Sequence, residues 1–240
     1  MKKLFILPIL ALFFASCSDE TTGDVSKVTN YPIFTVLGDD VIILTKGDPF
    51  TDPGVIVMEG ENEIEYTTTI SGDFRGGTSI DTNVADIYHI TYSATNVDGF
   101  SGTAGRTVIV VDNGNLVNSI SGLYTSTVVR NGVVSAQYTD MEYVIIWENA
   151  NGTYEMSDGI GGYYAIGRGY GTGYAARPVV ITANSIPAND FTVTNFGVGA
   201  FGGDAEMSGL TVNPIPGTIT FSTAWDAGFT FNVTLKKVEL

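Results

Sequence analysis

No stretch of this chain keeps an apolar stripe at helical spacing for three turns, and that absence confines it to β architecture. Its apolar runs are short, rich in Thr, Val, Ile, Tyr and Phe, and cut by 29 glycines. Branched and aromatic side chains suit a pleated sheet, and glycine serves the turns between strands. The expected fold class is all-β, with very little helix.

Ile33-Phe34-Thr35-Val36 and Val41-Ile42-Ile43-Leu44 read as strands on either side of Gly38-Asp39-Asp40. A turn-rich segment at 47–54 leads to a strand at 55–58, and another is expected within 63–70. Residues 87–94 alternate, so Tyr88, Ile90, Tyr92 and Ala94 are expected to face a core while Ile87, His89, Thr91 and Ser93 face outward. Asp98-Gly99 then turns the chain into 106–111. Six or seven strands in roughly eighty residues is the count of an immunoglobulin-like sandwich. Asp112-Asn113-Gly114-Asn115 is a cluster of turn formers and the expected boundary between a domain at 31–112 and a second at 116–240.

In the second domain, Asn131-Gly132 between 124–129 and 133–138 predicts a hairpin, because that dipeptide takes the positive φ angles of a type I′ turn. Residues 142–148 form a strand dense in Val, Ile and Trp, and Asn149-Ala150-Asn151-Gly152 turns it into 153–157. Near the end, Ile219 and Phe221 precede a turn around Asp226-Ala227-Gly228, and Phe229, Phe231, Val233 and Leu235 supply the returning apolar face. A sandwich and a closed barrel both satisfy this pattern.

The N-terminus constrains location. Lys2 and Lys3 precede an apolar run at 4–14 containing Pro8, then small residues leading to Cys17. That layout is a secretion signal at 1–16, too short for a comfortable span. Cys17 is the single cysteine, so no intrachain disulfide can form. The segment resembles the bacterial lipoprotein signal, in which such a cysteine is lipidated and becomes the first mature residue. Phe14 departs from the usual aliphatic residue. Ser18-Asp19-Glu20 resembles the acidic export tag of Bacteroidetes-type surface lipoproteins. Together these imply an outer-membrane, lipid-anchored protein at the cell surface, with 17–30 as lipidated terminus and polar tether.

Asp52-Pro53-Gly54-Val55, Tyr88-x-Ile90-x-Tyr92-x-Ala94, Asp98-Gly99 and Arg106-x-Val108-x-Val110 resemble a bacterial immunoglobulin-like family of extracellular proteins. Asp86 stands where that family usually has glycine, and the resemblance implies a spacer. Asn151-Gly152-Thr153-Tyr154 and Gly161-Gly162-Tyr163-Tyr164, with the order of parts, make the second domain similar to C-terminal domains of accessory lipoproteins from glycan-uptake systems. That similarity implies glycan or outer-membrane uptake proteins as partners, with the membrane reached through the anchor.

The formal net charge is −15, and loss of Lys2 and Lys3 leaves nine basic against 26 acidic side chains. Nucleic acid is excluded as a partner, since it needs a concentrated positive face. His89 is the sole histidine, so histidine-assisted nucleophilic catalysis and histidine–cysteine zinc sites have almost nothing to use. Gly167-x-Gly169 lacks the third glycine of a dinucleotide fingerprint. Asp39, Asp40, Asp48 and Asp52 are oxygen donors in turns, without an Asp-x-Asp-x-Asp-Gly calcium loop. Asp140, Glu142, Glu148, Glu155 and Asp158 are close enough in sequence for a paired-carboxylate glycosidase. Alternation puts several of them on a solvent face, so no catalytic residue, cofactor or metal is expected.

Residues 158–174 are the least ordinary segment, with seven glycines interleaved among tyrosines and Arg168. Glycines let backbone approach a ligand, and tyrosine faces stack on sugar rings. The candidate ligand-binding residues are Tyr163, Tyr164, Arg168, Tyr170 and Tyr174, with packing inside a glycine-kinked sheet as the alternative. Trp147 is expected in the core, and Trp225 is the other flat surface. The reading is a non-catalytic surface lipoprotein that binds glycan or docks on an uptake complex. A structural or adhesive role with a protein partner is the alternative, and a glycoside hydrolase a more distant one.

Overall fold

The computed structural model describes residues 28–240. The signal, Cys17 and most of the tether lie outside the described residues. Seven strands come first: β1 (Ile33–Val36), β2 (Val41–Thr45), β3 (Val55–Glu59), β4 (Asn62–Glu63), β5 (Thr67–Gly72), β6 (Asp86–Thr95) and β7 (Ser101–Val111). They form a three-stranded sheet, β1-β3-β4, and a four-stranded sheet, β2-β7-β6-β5, with β2 parallel to β7. Tyr88, Ile90, Tyr92 and Ala94 enter the core between the two sheets, with Val55, Val57, Val108 and Val110.

Three residues from separate motif pieces tie this sandwich together. The Arg106 side chain is buried, sits 3.1 Å from Asp52, and donates to the Leu37 carbonyl. The Tyr92 hydroxyl donates to both Asp52 oxygens at 2.7 and 2.8 Å, and the Gly54 amide adds a third donor. Asp52 is thus occupied by protein donors. Asp86, fully buried, accepts the amides of Phe74, Arg75 and Ile87 and fixes the turn before β6.

The other ten strands are β8 (Gly122–Arg130), β9 (Met141–Glu148), β10 (Tyr154–Met156), β11 (Ala176–Arg177), β12 (Val179–Ser185), β13 (Asp190–Val193), β14 (Phe196–Val198), β15 (Asp204–Asn213), β16 (Thr218–Trp225) and β17 (Phe229–Lys237). They make one sheet, in the order β11-β14-β15-β16-β17-β8-β9-β10-β12-β13. It curls over a single core, with β11 and β13 at its edges.

The expected hairpin is corrected in its second arm. Asn131 and Gly132 do take positive φ, and the Val133 amide closes the turn onto Arg130. Residues 133–138 then leave the sheet, and β9 takes the place beside β8. Asn131 is held by β17 instead, its side-chain oxygen accepting the Thr230 amide at 2.8 Å.

Ile87, expected to face outward, is buried, and the reason is a second apolar layer between the domains. Ala85, Ile87, Ile109 and Val111 from the first domain pack against Leu123, Ile145 and Trp147 from the second. Both faces of β9 are therefore covered: Val144 and Ile146 enter the second domain's core, while Ile145 and Trp147 enter the seam. Polar contacts border it. Arg177 donates to the Phe74 carbonyl at 3.0 Å, and Lys237 bonds Asn113 in the connecting segment.

Candidate functional site

The segment at 158–174 splits into a buried half and an exposed half. Gly161 and Gly162 hold φ of 66° and 77°, and a Cβ on Gly161 would come within 2.7 Å of Ser126 and Val233. Only glycine lets the chain pass there. The turn at Tyr163–Gly167 then winds wide, with the Gly167 amide donating to Gly162 and the Arg168 amide to Tyr163, both five residues back. Such wide turns recur at functional sites.

That geometry buries Tyr163 and Tyr164 at 4% and 7% exposure, correcting the expectation that they offer open faces. Tyr163 stacks on Tyr138 with centroids 4.1 Å apart and meets Phe231 edge-on. Tyr164 supports what lies outside it, with Phe201 at 4.8 Å and Tyr170 nearly parallel at 6.3 Å. Tyr170 is 48% exposed, Phe201 46%, and Tyr174 lies half-buried between them. The result is an aromatic platform on an aromatic base. Glycine makes it possible again at Gly199, whose Cβ would strike the Tyr174 backbone at 2.6 Å. Trp225 bonds the Gly202 carbonyl through its indole N–H and packs beside Phe201.

Two arginines border the platform. Arg130, half-buried at the end of β8, lies over Phe229 at 4.6 Å and Tyr163 at 5.2 Å and donates to the Tyr164 hydroxyl at 3.3 Å. Arg168 is exposed beside the Tyr138, Tyr163 and Tyr170 phenols, which push its pKa upward, Tyr138 most. A recess of about 230 Å³ is lined by Arg130, Asn131, Val133, Ser135, Tyr138 and Tyr163. The short turn Ala136–Tyr138 is fastened to the glycine-rich loop by Gln137, which donates to the Gly167 carbonyl at 2.8 Å.

Sequence reasoning singled out Arg168, Tyr170 and Tyr174, which the fold does bring together. It missed Arg130, Tyr138 and Phe201. Phe201 carried a usable signal, since Gly199, Gly202 and Gly203 surround it as glycines surround Tyr170. Arg130 carried none, being the end of a strand at a turn.

A second concavity, about 380 Å³, opens at the domain seam between Phe74, Ile87, His89, Tyr143, Asp158 and Ile166. His89, expected on a solvent face, is half-buried there, 3.1 Å from Asp73, and that hydrogen bond raises its pKa. Asp158 is buried; desolvation pushes its pKa up to about 7, and Oδ2 has no hydrogen-bond partner. Its Oδ1 accepts the Ile160 amide at 2.9 Å.

Glu148 and Glu155 lie on opposite faces of the sheet. Glu155 sits opposite Trp147 and faces the seam, where Arg177 lies 3.4 Å away, whereas Glu148 sits opposite Tyr154 on the other face of the sheet. Among the described residues no group of three His, Cys, Asp or Glu side chains could hold a metal ion.

Residues 34–110 match the family of bacterial surface protein Ig-like domains, and residues 113–237 match a family described as a C-terminal domain. The second match spans more than half of the chain. The chain belongs to that C-terminal-domain family, here joined to a surface Ig-like domain. Among solved structures it is similar to the lipoprotein BT2262 from Bacteroides thetaiotaomicron, at 29% identity and a TM-score of 0.64. That likeness covers 86% of this chain and all of the other. No curated protein matches the sequence.

Proposed function

We propose that this protein is a lipid-anchored outer-membrane lipoprotein, displayed at the cell surface, that captures glycan without transforming it. The observation that carries the reading is the half-exposed pair Tyr170 and Phe201, held on a buried aromatic base that leaves their faces toward solvent. Rings held by aromatic neighbours yet left about half open to water offer stacking surfaces to the C–H groups of a sugar. The anchor is supported by the signal ending at Cys17 and by the lipoprotein standing of the similar Bacteroides structure. Separation of Glu148 and Glu155 onto opposite sheet faces supports a binding role over hydrolysis.

Docking onto an uptake complex is the second reading, favoured by Val133 and Val134, which are 66% and 74% exposed at the lip of the recess. Affinity electrophoresis of the mature chain through gels containing single polysaccharides tests the first reading. Retardation by at least one polysaccharide, lost in Tyr170→Ala, is the expected result. Migration unchanged in every gel would leave docking.

A further inference from the structure

Of the five arginines in this chain, Arg106 and Arg177 meet carboxylates. Among the described residues, Arg130 and Arg168 have no ion-pair partner. Arg130 lines the recess, and Arg168 lies beside Tyr138 and Tyr163, which line it too, and beside Tyr170 of the platform. In a chain of net charge −15, two cations held away from acidic side chains at one site need a reason. Arg130 is also fixed in place, clamped between Phe229 and Tyr163 with one nitrogen on the Tyr164 hydroxyl. A guanidinium stacked in this way keeps its outward N–H groups pre-aimed, so little side-chain entropy is lost when a ligand arrives.

We propose that the glycan taken at this site is an acidic one, its carboxylate or sulfate group received between Arg130 and Arg168 while neighbouring sugar rings lie on Tyr170 and Phe201. The inference rests on the glycan-binding reading and adds the class of sugar. The recess supplies what such a group needs besides charge: the Ser135 hydroxyl, the Asn131 side chain and the Tyr138 phenol line it with Arg130. Its volume of about 230 Å³ suits a single charged substituent with part of its ring. The chain's overall negative charge opposes a polyanion only at long range. At physiological ionic strength the Debye length is about 8 Å, so contacts inside the recess outweigh distant acidic residues. Asp226, on the turn that follows Trp225, accepts the Asp204 amide at 3.0 Å.

Titration calorimetry of the mature chain with oligogalacturonate, a chondroitin sulfate oligosaccharide and a neutral β-glucan oligosaccharide distinguishes the cases. The expected result is binding of at least one acidic ligand, weakened roughly 10- to 100-fold in Arg168→Ala, the usual worth of a charge-assisted hydrogen bond. Arg168→Lys recovers part of the loss, since it restores charge without the fork. Arg168 is exposed, so these variants leave folding intact, and unchanged thermal unfolding verifies it. Preference for oligogalacturonate identifies carboxylate as the recognised group, and preference for chondroitin sulfate identifies sulfate. Binding of the neutral ligand alone, or acidic-ligand binding unchanged in Arg168→Glu, overturns the inference and leaves glycan capture standing. No heat with any of the three, joined to unchanged migration in every polysaccharide gel, overturns both.

Discussion

Asp158 is a carboxylic acid where a carboxylate would be uncomfortable. Burial pushes its pKa up to about 7, against about 3.9 in an unfolded chain. Below the unfolded value both states are protonated and folding carries no cost from this group. As the pH rises from about 4 to about 7 the unfolded state ionises first, and roughly three pH units at about 1.4 kcal/mol each remove about 4 kcal/mol of stability. The urea midpoint of the native chain is therefore expected to fall across that window, while Asp158→Asn, which keeps the Oδ1 acceptor without the charge, shows a much flatter profile. His89 acts in the same direction. Its raised pKa contributes stability that is complete below about 6.5 and lost as pH climbs through the folded value, so His89→Gln should trim only the upper part of the fall. A second residue-scale expectation concerns Asp52. Asp52→Ala leaves the buried Arg106 guanidinium without its counter-ion and Tyr92 without its acceptor, and should cost about 3–5 kcal/mol by urea unfolding.

At the scale of elements, the decisive feature is a pair of strands covered on both faces where the domains meet. β7 puts Val108 and Val110 into its own domain's core and Ile109 and Val111 into the seam, as β9 does with Val144 and Ile146 against Ile145 and Trp147. The Ig-like unit is consequently packed firmly against its neighbour. Trp147→Ala removes the largest side chain of that layer and should destabilise the chain by about 3–5 kcal/mol. Faster proteolysis within 112–116 is the accompanying sign, since Lys46, Lys237 and local turns now hold that segment. The wide turn at Tyr163–Gly167 gives another test. Gly161→Ala places a methyl against Ser126 and Val233 at a positive φ, and is expected to cost about 1–3 kcal/mol and to weaken glycan binding. Much of the element list was legible beforehand, because alternation and turn chemistry are local. The second arm of the Asn131-Gly132 hairpin was not. Asn131 satisfies its polar groups on β17, about a hundred residues away in sequence, and no local pattern contains that partner.

For the whole molecule, the proposed lipid anchor at Cys17 has a direct test. Cys17→Ala is expected to move the protein from the membrane pellet to the soluble fraction while leaving its thermal unfolding unchanged, because residues 31–240 supply the cores. Undiminished membrane association would remove the anchor from this account.

What the sequence determined alone was the menu: β structure from short branched and aromatic runs, and a glycine–tyrosine segment worth attention. These follow from periodicity and residue type, which act over a few positions. Tertiary structure decided which tyrosines are open. Tyr163 and Tyr170 are alike in local sequence, yet one is sealed beneath Tyr138 and Phe231 and the other stands in water. It likewise brought Arg130, Arg168 and Phe201 from three distant segments to one rim. Burial and charge pairing depend on what the remainder of the chain places alongside a residue, and packing across the curled sheet sets that.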